Sequence, residues 1–161
     1  MLAEVAKQKG ISLCGIQRDQ TTADLSDKKL QPPDAILLAS DLSQAGVTGS
    51  LTVTNLMDNQ LDAESAKMLA EVAKQKSISL CGIQRDQTTA DFSRQGLKPP
   101  DAILLASDLS QAGVTGSLTS IDLSSNQLCG LNWVGKGNYT TVGITAIADA
   151  LRANGSLSEL A

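Results

Sequence analysis

Leu118-Thr-Ser-Ile121-Asp-Leu123-Ser-Ser-Asn126-Gln-Leu128 decides the fold. With Ile121 counted as an aliphatic, it spells L-x-x-L-x-L-x-x-N-x-L. Alternating aliphatics mark a short strand with one buried face. The Asn suits the turn that follows, where its amide can satisfy backbone groups. A looser copy stands upstream as Leu51-Thr-Val-Thr-Asn-Leu56-Met-Asp-Asn59-Gln-Leu61.

That copy belongs to a larger repeat. Met1–Leu61 matches Met68–Leu128 at an offset of 67, with 50 of 61 positions identical and 11 different. Pro32–Thr52 recurs unchanged as Pro99–Thr119. A weaker strand pattern lies mid-period, around Leu25 and again around Phe92. Each block is therefore two units, with steps of 31, 36 and 31 between Leu25, Leu56, Phe92 and Leu123.

Helical stretches alternate with these strands. Ala35, Leu38, Ala39 and Leu42 fall at i, i+3, i+4 and i+7, the spacing of one helix face. Ala102, Leu105, Ala106 and Leu109 repeat it, and so do Ile144, Ile147, Ala148 and Leu151. Pro and Asp open the first two of these helices and Gly46 stops one. The spacing predicts strands near 23–26, 54–57, 90–93 and 121–124. It predicts helices near 34–44, 62–75, 101–111 and 141–153, and one over about 2–9.

Strand, turn, helix and return loop, with Gly143–Leu157 as the fullest helix and return, resemble the ribonuclease-inhibitor-like class of leucine-rich repeat. The resemblance implies an α/β solenoid, a horseshoe with short parallel strands on the concave face and helices on the convex one. It would make residues 1–161 a single array: blocks 1–67 and 68–134, then a partial unit. Two features depart from the family pattern. Lys28 and Gln95 stand at the loop Asn position, and Ile78–Asp86, with its copy Ile11–Asp19, adds residues before the weak strand. This added segment reads equally as a loop or as a strand centred on Ile83.

Met1 aligns with the internal Met68, and the chain closes on Leu157-Ser-Glu-Leu160, half of a further strand pattern. Neither end carries the polar cap usual for terminal repeats. The expectation is a piece of a longer array. The rival reading is a pair of ends that stack on other copies, since an open strand edge is a template for pairing.

Composition narrows function more than it defines it. Thirteen basic against 17 acidic residues give a net charge of −4, a poor match to nucleic acid or anionic membrane. The chain has no histidine, so no Ser-His, Cys-His or His-metal arrangement exists. Cys14, Cys81 and Cys129 are too scattered for a disulfide framework or zinc site, and read as small buried hydrophobes of a reducing compartment. No apolar run approaches a membrane span and no signal peptide is visible, which favours an intracellular setting. Asn138-Tyr-Thr and Asn154-Gly-Ser are formal glycosylation sequons only.

Two features suggest a binding surface. The resemblance puts the strand positions of Asp24, Asn55, Asp91 and Asp122 in one rank on the concave side, a mildly acidic face suited to a basic protein or peptide. The stretch from Leu128 to the last helix is longer than its counterparts and carries the only Trp and the only Tyr, Trp133 and Tyr139. Exposed aromatics on a loop are frequent binding hot spots. Trp133 folded back over a hydrophobic gap is the alternative.

Gly130-Leu-Asn-Trp-Val-Gly135-Lys136-Gly137 spells GxxxxGK, the opening of a phosphate-binding loop. Gly137 stands where the hydroxyl residue should, and no long buried strand precedes the motif, so an inserted surface loop is expected. The chain thus reads as a non-enzymatic interaction module for a protein or peptide, without cofactor or metal. The alternative is a structural element that stacks head to tail.

Overall fold

A computed structural model describes residues 2–161, with side chains from Glu4 onward. In chain order the elements are α1 (Leu2–Lys9), β1 (Thr22–Asp24), α2 (Pro32–Leu42), α3 (Ala45–Thr48), β2 (Val53–Asn55) and α4 (Ala63–Lys76). Then follow β3 (Thr89–Asp91), α5 (Pro99–Leu109), α6 (Ala112–Thr115), β4 (Ser120–Asp122), α7 (Val142–Ala153) and β5 (Glu159–Leu160).

The long helices begin where the sequence supplies caps. α2 and α5 open on Pro-Pro pairs, which lose nothing by lacking N–H groups in a first turn. Asp34 and Asp101 accept the backbone N–H of Gln31 and Lys98, each at 2.8 Å. Asp62 caps α4 by accepting the Ser65 N–H at 2.8 Å. The apolar faces of α2, α4, α5 and α7 then pack in succession over the strands, forming one core with Leu56, Leu69, Leu104 and Leu118 fully buried.

The expected horseshoe is not what forms. The described residues make seven helices and only two small parallel sheets, β1-β2 and β3-β4-β5. The register is parallel throughout, with Asp24 beside Asn55 and Asp91 beside Asp122. The break lies at the added segment before β3. Ser79 makes a parallel bridge to Val53, but Cys81 meets Asn55 in an antiparallel sense. The chain has reversed by then, so it covers the β2 edge that β3 would have extended. A segment that also reads as a loop thereby ends one sheet, and the next begins afresh at Thr89.

Position 54 is a local defect in the core. Thr54 is fully buried in β2 and its hydroxyl has no partner among the described residues. The second copy has Ile121 at the same place. An unmet buried hydroxyl costs about 1–3 kcal/mol, and an apolar isostere removes that cost. Thr54→Val should therefore raise stability by about 1 kcal/mol in urea denaturation; a loss of stability would show that the hydroxyl is satisfied after all.

Candidate functional site

The rank of Asp24, Asn55, Asp91 and Asp122 is divided between the two sheets. Asp91 and Asp122 are register partners, so their strands set them at the ~4.8 Å inter-strand spacing. Asp24 is likewise paired with Asn55 on the other sheet. Between the two pairs lies the reversed segment, where Gly82 approaches the Asn55 side chain. Thr22, Asp24, Asn55, Gly82 and Gln84 line a shallow cavity of about 260 Å³ on this first sheet.

Each member of the rank also has a local task. Asp24 accepts the Ser26 N–H at 3.1 Å and its hydroxyl at 2.6 Å. Asp91 accepts the Ser93 N–H and Asp122 the Ser124 N–H, both at 2.8 Å, and Asn55 accepts the Met57 N–H at 3.1 Å. These bonds, two residues ahead, turn the chain out of each strand. Bonds from the side chain and backbone of Ser26 hold the Asp24 carboxyl below its ordinary range, and those of Ser93 do the same for Asp91. Both are therefore firmly ionised at neutral pH. For Asp122 the second carboxylate oxygen accepts no bond from a described residue, which leaves it free for an incoming donor.

Downstream of β4 the chain projects a small hairpin. Leu131 and Gly137 form an antiparallel bridge, and the Asn132 N–H donates to Lys136 O at 2.9 Å. Asn132 Oδ1 accepts the N–H groups of Val134 and Lys136, at 3.1 and 2.9 Å. The glycines at 130 and 137 have positive φ, and a Cβ on either would collide with a carbonyl across the hairpin. The tip presents Trp133, 95% exposed, with Val134 at 49% and Tyr139 at 67% nearby in sequence. Trp133 therefore covers no gap in the core; it is held out into solvent on a braced turn.

The same bonds dispose of the phosphate-loop resemblance. Gly130 donates to Gln127 O, Gly135 to Asn132 O, and the Val134 and Lys136 amides to Asn132 Oδ1. Amides that would cradle a phosphate are spent inside the hairpin. No three His, Cys, Asp or Glu residues gather to hold a metal among the described residues. Burial, reinforced by Asp41, pushes the Cys14 thiol up to about 12, and burial beside Asp108 pushes Cys81 well above its ordinary value. Such thiols stay protonated and unreactive.

Sequence reasoning passed over two aspartates. Asp108 is fully buried on α5 and accepts the Ser79 hydroxyl at 2.7 Å, the Leu80 N–H at 2.8 Å and the Cys81 N–H at 3.0 Å. Asp41 on α2 repeats the arrangement with Ser12, Leu13 and Cys14. Burial raises Asp108 to about 6, against the opposing pull of its three donors. These carboxylates fasten the reversed segments to the helices and face no open cleft, so their role is to hold the scaffold.

The surface that could engage a partner is therefore the acidic strand ends together with the Trp133 hairpin, which leaves the turn after β4. No helix among the described residues is long and apolar enough to cross a membrane. In comparison with known proteins, no family model matches the chain and no curated protein matches it.

Proposed function

We propose that the chain is a non-enzymatic interaction module that binds a protein or peptide through the Trp133 hairpin and the acidic strand ends. One observation carries this reading: a tryptophan almost wholly in water, at the tip of a turn braced by its own hydrogen bonds. An exposed indole gains nothing for the fold, whereas a pre-set aromatic anchor loses little entropy on binding. The neighbouring carboxylates at Asp91 and Asp122 repel each other at inter-strand spacing, and a cationic side chain between them would relieve the repulsion. The expected ligand is basic, with an apolar residue to cover the indole.

Selection from a random peptide library displayed on phage tests it. Peptides enriched on the wild-type chain should carry Lys or Arg. Trp133→Ala should weaken them by roughly thirtyfold or more, the scale of a hot-spot loss of about 2 kcal/mol. The same variant should leave folding stability within about 0.5 kcal/mol, because its side chain is exposed. Combined Asp24→Asn, Asp91→Asn and Asp122→Asn should reduce binding in a salt-dependent way. Failure to enrich any peptide, or enrichment indifferent to both changes, would refute the proposal.

A further inference from the structure

Residues 2–16 and 69–83 are the same sequence except for Gly10 against Ser77, yet their surroundings differ. Inside the molecule the second copy rests on β2 and α2. Ile78 is 2% exposed there, while its twin Ile11 is 52% exposed. Leu80 and Cys81 are buried, while Leu13 and Cys14 are only half-buried.

The backbone repeats the contrast. The Ser79 N–H donates to Thr52 O at 2.9 Å, and Ser79 O accepts the Thr54 N–H at 2.8 Å. Leu80 O accepts the Leu56 N–H at 2.9 Å, and the Gly82 N–H donates to Thr54 O at 2.9 Å. Their twins, the Ser12 N–H, Ser12 O, Leu13 O and the Gly15 N–H, have no partner among the described residues. The N-terminal strip thus presents the same donors and acceptors that its twin pairs with a strand edge.

The opposite end offers such an edge. β5 takes on β4 the place that Ser79 and Leu80 take on β2. Its Ser158 and Glu159 N–H groups donate to Thr119 O, and Ala161 O accepts the Leu123 N–H at 2.7 Å. Residues 159 and 161 face β4, so the alternation of a ladder turns the Leu160 N–H and C=O outward. Ser158 O also lacks a partner among the described residues. Leu160, 56% exposed, and Ile144, 47% exposed, flank an apolar cavity of about 460 Å³ formed with Leu128, Ile147 and Leu151.

We propose that these two ends dock on each other between copies of this chain. The β5 edge of one copy receives the Ile11–Gly15 strip of the next. In that arrangement Ser158 and Leu160 stand where Thr52 and Thr54 stand internally. The Ser12 N–H then meets Ser158 O, the Leu160 N–H meets Ser12 O, and the Gly15 N–H meets Leu160 O. Ile11 enters the apolar cavity, as Ile78 enters the core. The contact joins two different surfaces, so it grows head to tail unless its rotation closes a ring.

Sedimentation velocity of the whole chain under reducing conditions, from micromolar to millimolar, tests this. The weight-average mass should climb with concentration beyond a dimer. Ile11→Asp and Leu160→Pro each alter one exposed position, and each variant alone should stay monomeric. Mixed, they should form a 1:1 dimer and nothing larger, since each retains the face that the other lost. A wild-type chain that stays monomeric at every concentration would overturn the proposal. So would variants that associate like wild type, or a mixture that remains monomeric. Circular dichroism confirms that each variant is folded; if one is not, the wild-type concentration series alone decides between association and its absence.

Discussion

Asp108→Ala should lose about 4 kcal/mol of folding stability, more than any other substitution proposed for this chain. It strips three buried donors, the Ser79 hydroxyl and the Leu80 and Cys81 amides, of their common acceptor. Each orphaned buried donor costs about 1–3 kcal/mol. The relieved burial of the carboxylate offsets part of that sum. For a chain of this length the melting temperature should fall by roughly 10 °C. Asp41→Ala is the internal control. It removes the same three kinds of bond, but from a half-exposed segment where water can replace them. Its cost should be nearer about 1–2 kcal/mol. Equal losses from the two variants would show that burial does not set the difference.

Asp108 also predicts a pH dependence. Its carboxyl is raised from 3.8 to about 6 in the folded chain. The folded state therefore binds more protons than the unfolded one between those values. Stability from this group is full below about pH 4 and declines as pH rises through about 6. The change is about 3 kcal/mol, from roughly two pH units at about 1.4 kcal/mol each. Asp24, Asp62 and Asp91 are lowered instead, so their contributions are lost only as pH falls below the ordinary carboxylate range. Urea titrations from about pH 4 to 7 should show the decline in wild type and a flatter profile in Asp108→Ala.

Asn59→Ala should cost about 3 kcal/mol. The side-chain amide is a four-way tie between successive turns. Its oxygen accepts the Lys28 and Leu30 N–H groups at 3.1 and 2.9 Å, and its nitrogen donates to Leu25 O and Leu56 O, both at 2.9 Å. Asn126 repeats the tie with Gln95, Leu97, Phe92 and Leu123, in a more exposed setting. Asn59→Asp separates hydrogen bonding from packing. A carboxylate keeps the size and both acceptor bonds but cannot donate to the two carbonyls. It should lose nearly as much as Asn59→Ala; a neutral Asn59→Asp would refute the tie.

Much of this architecture could be read from the chain, and the limits have physical causes. The i, i+3, i+4 and i+7 aliphatics placed the long helices within about two residues, because a helix face buries at a fixed period. The 31-residue step placed Asp91 beside Asp122, because β3 and β4 pair in parallel register. The turn asparagines were legible as backbone ties, although their reach into the preceding turn was not. What failed was the continuous sheet. Ile78–Ile83 has a composition that suits both strand and loop, and only its packing against β2 and Asp108 selects the reversal. Asp41 and Asp108 read as ordinary polar residues near a helix end, because their partners lie 27 to 29 residues away. The direction of Trp133 depends on Asn132 bracing the hairpin, a local bond that composition does not reveal.

One principle underlies the fold and the proposed docking of ends: a unit of this chain is completed by its neighbour. Amide hydrogen exchange compares two nearly identical segments in one molecule and tests this directly. At low concentration the Ser79 and Gly82 amides, bonded to Thr52 O and Thr54 O, should exchange at least roughly a hundredfold more slowly than those of Ser12 and Gly15. Equal exchange at the two copies would contradict that principle.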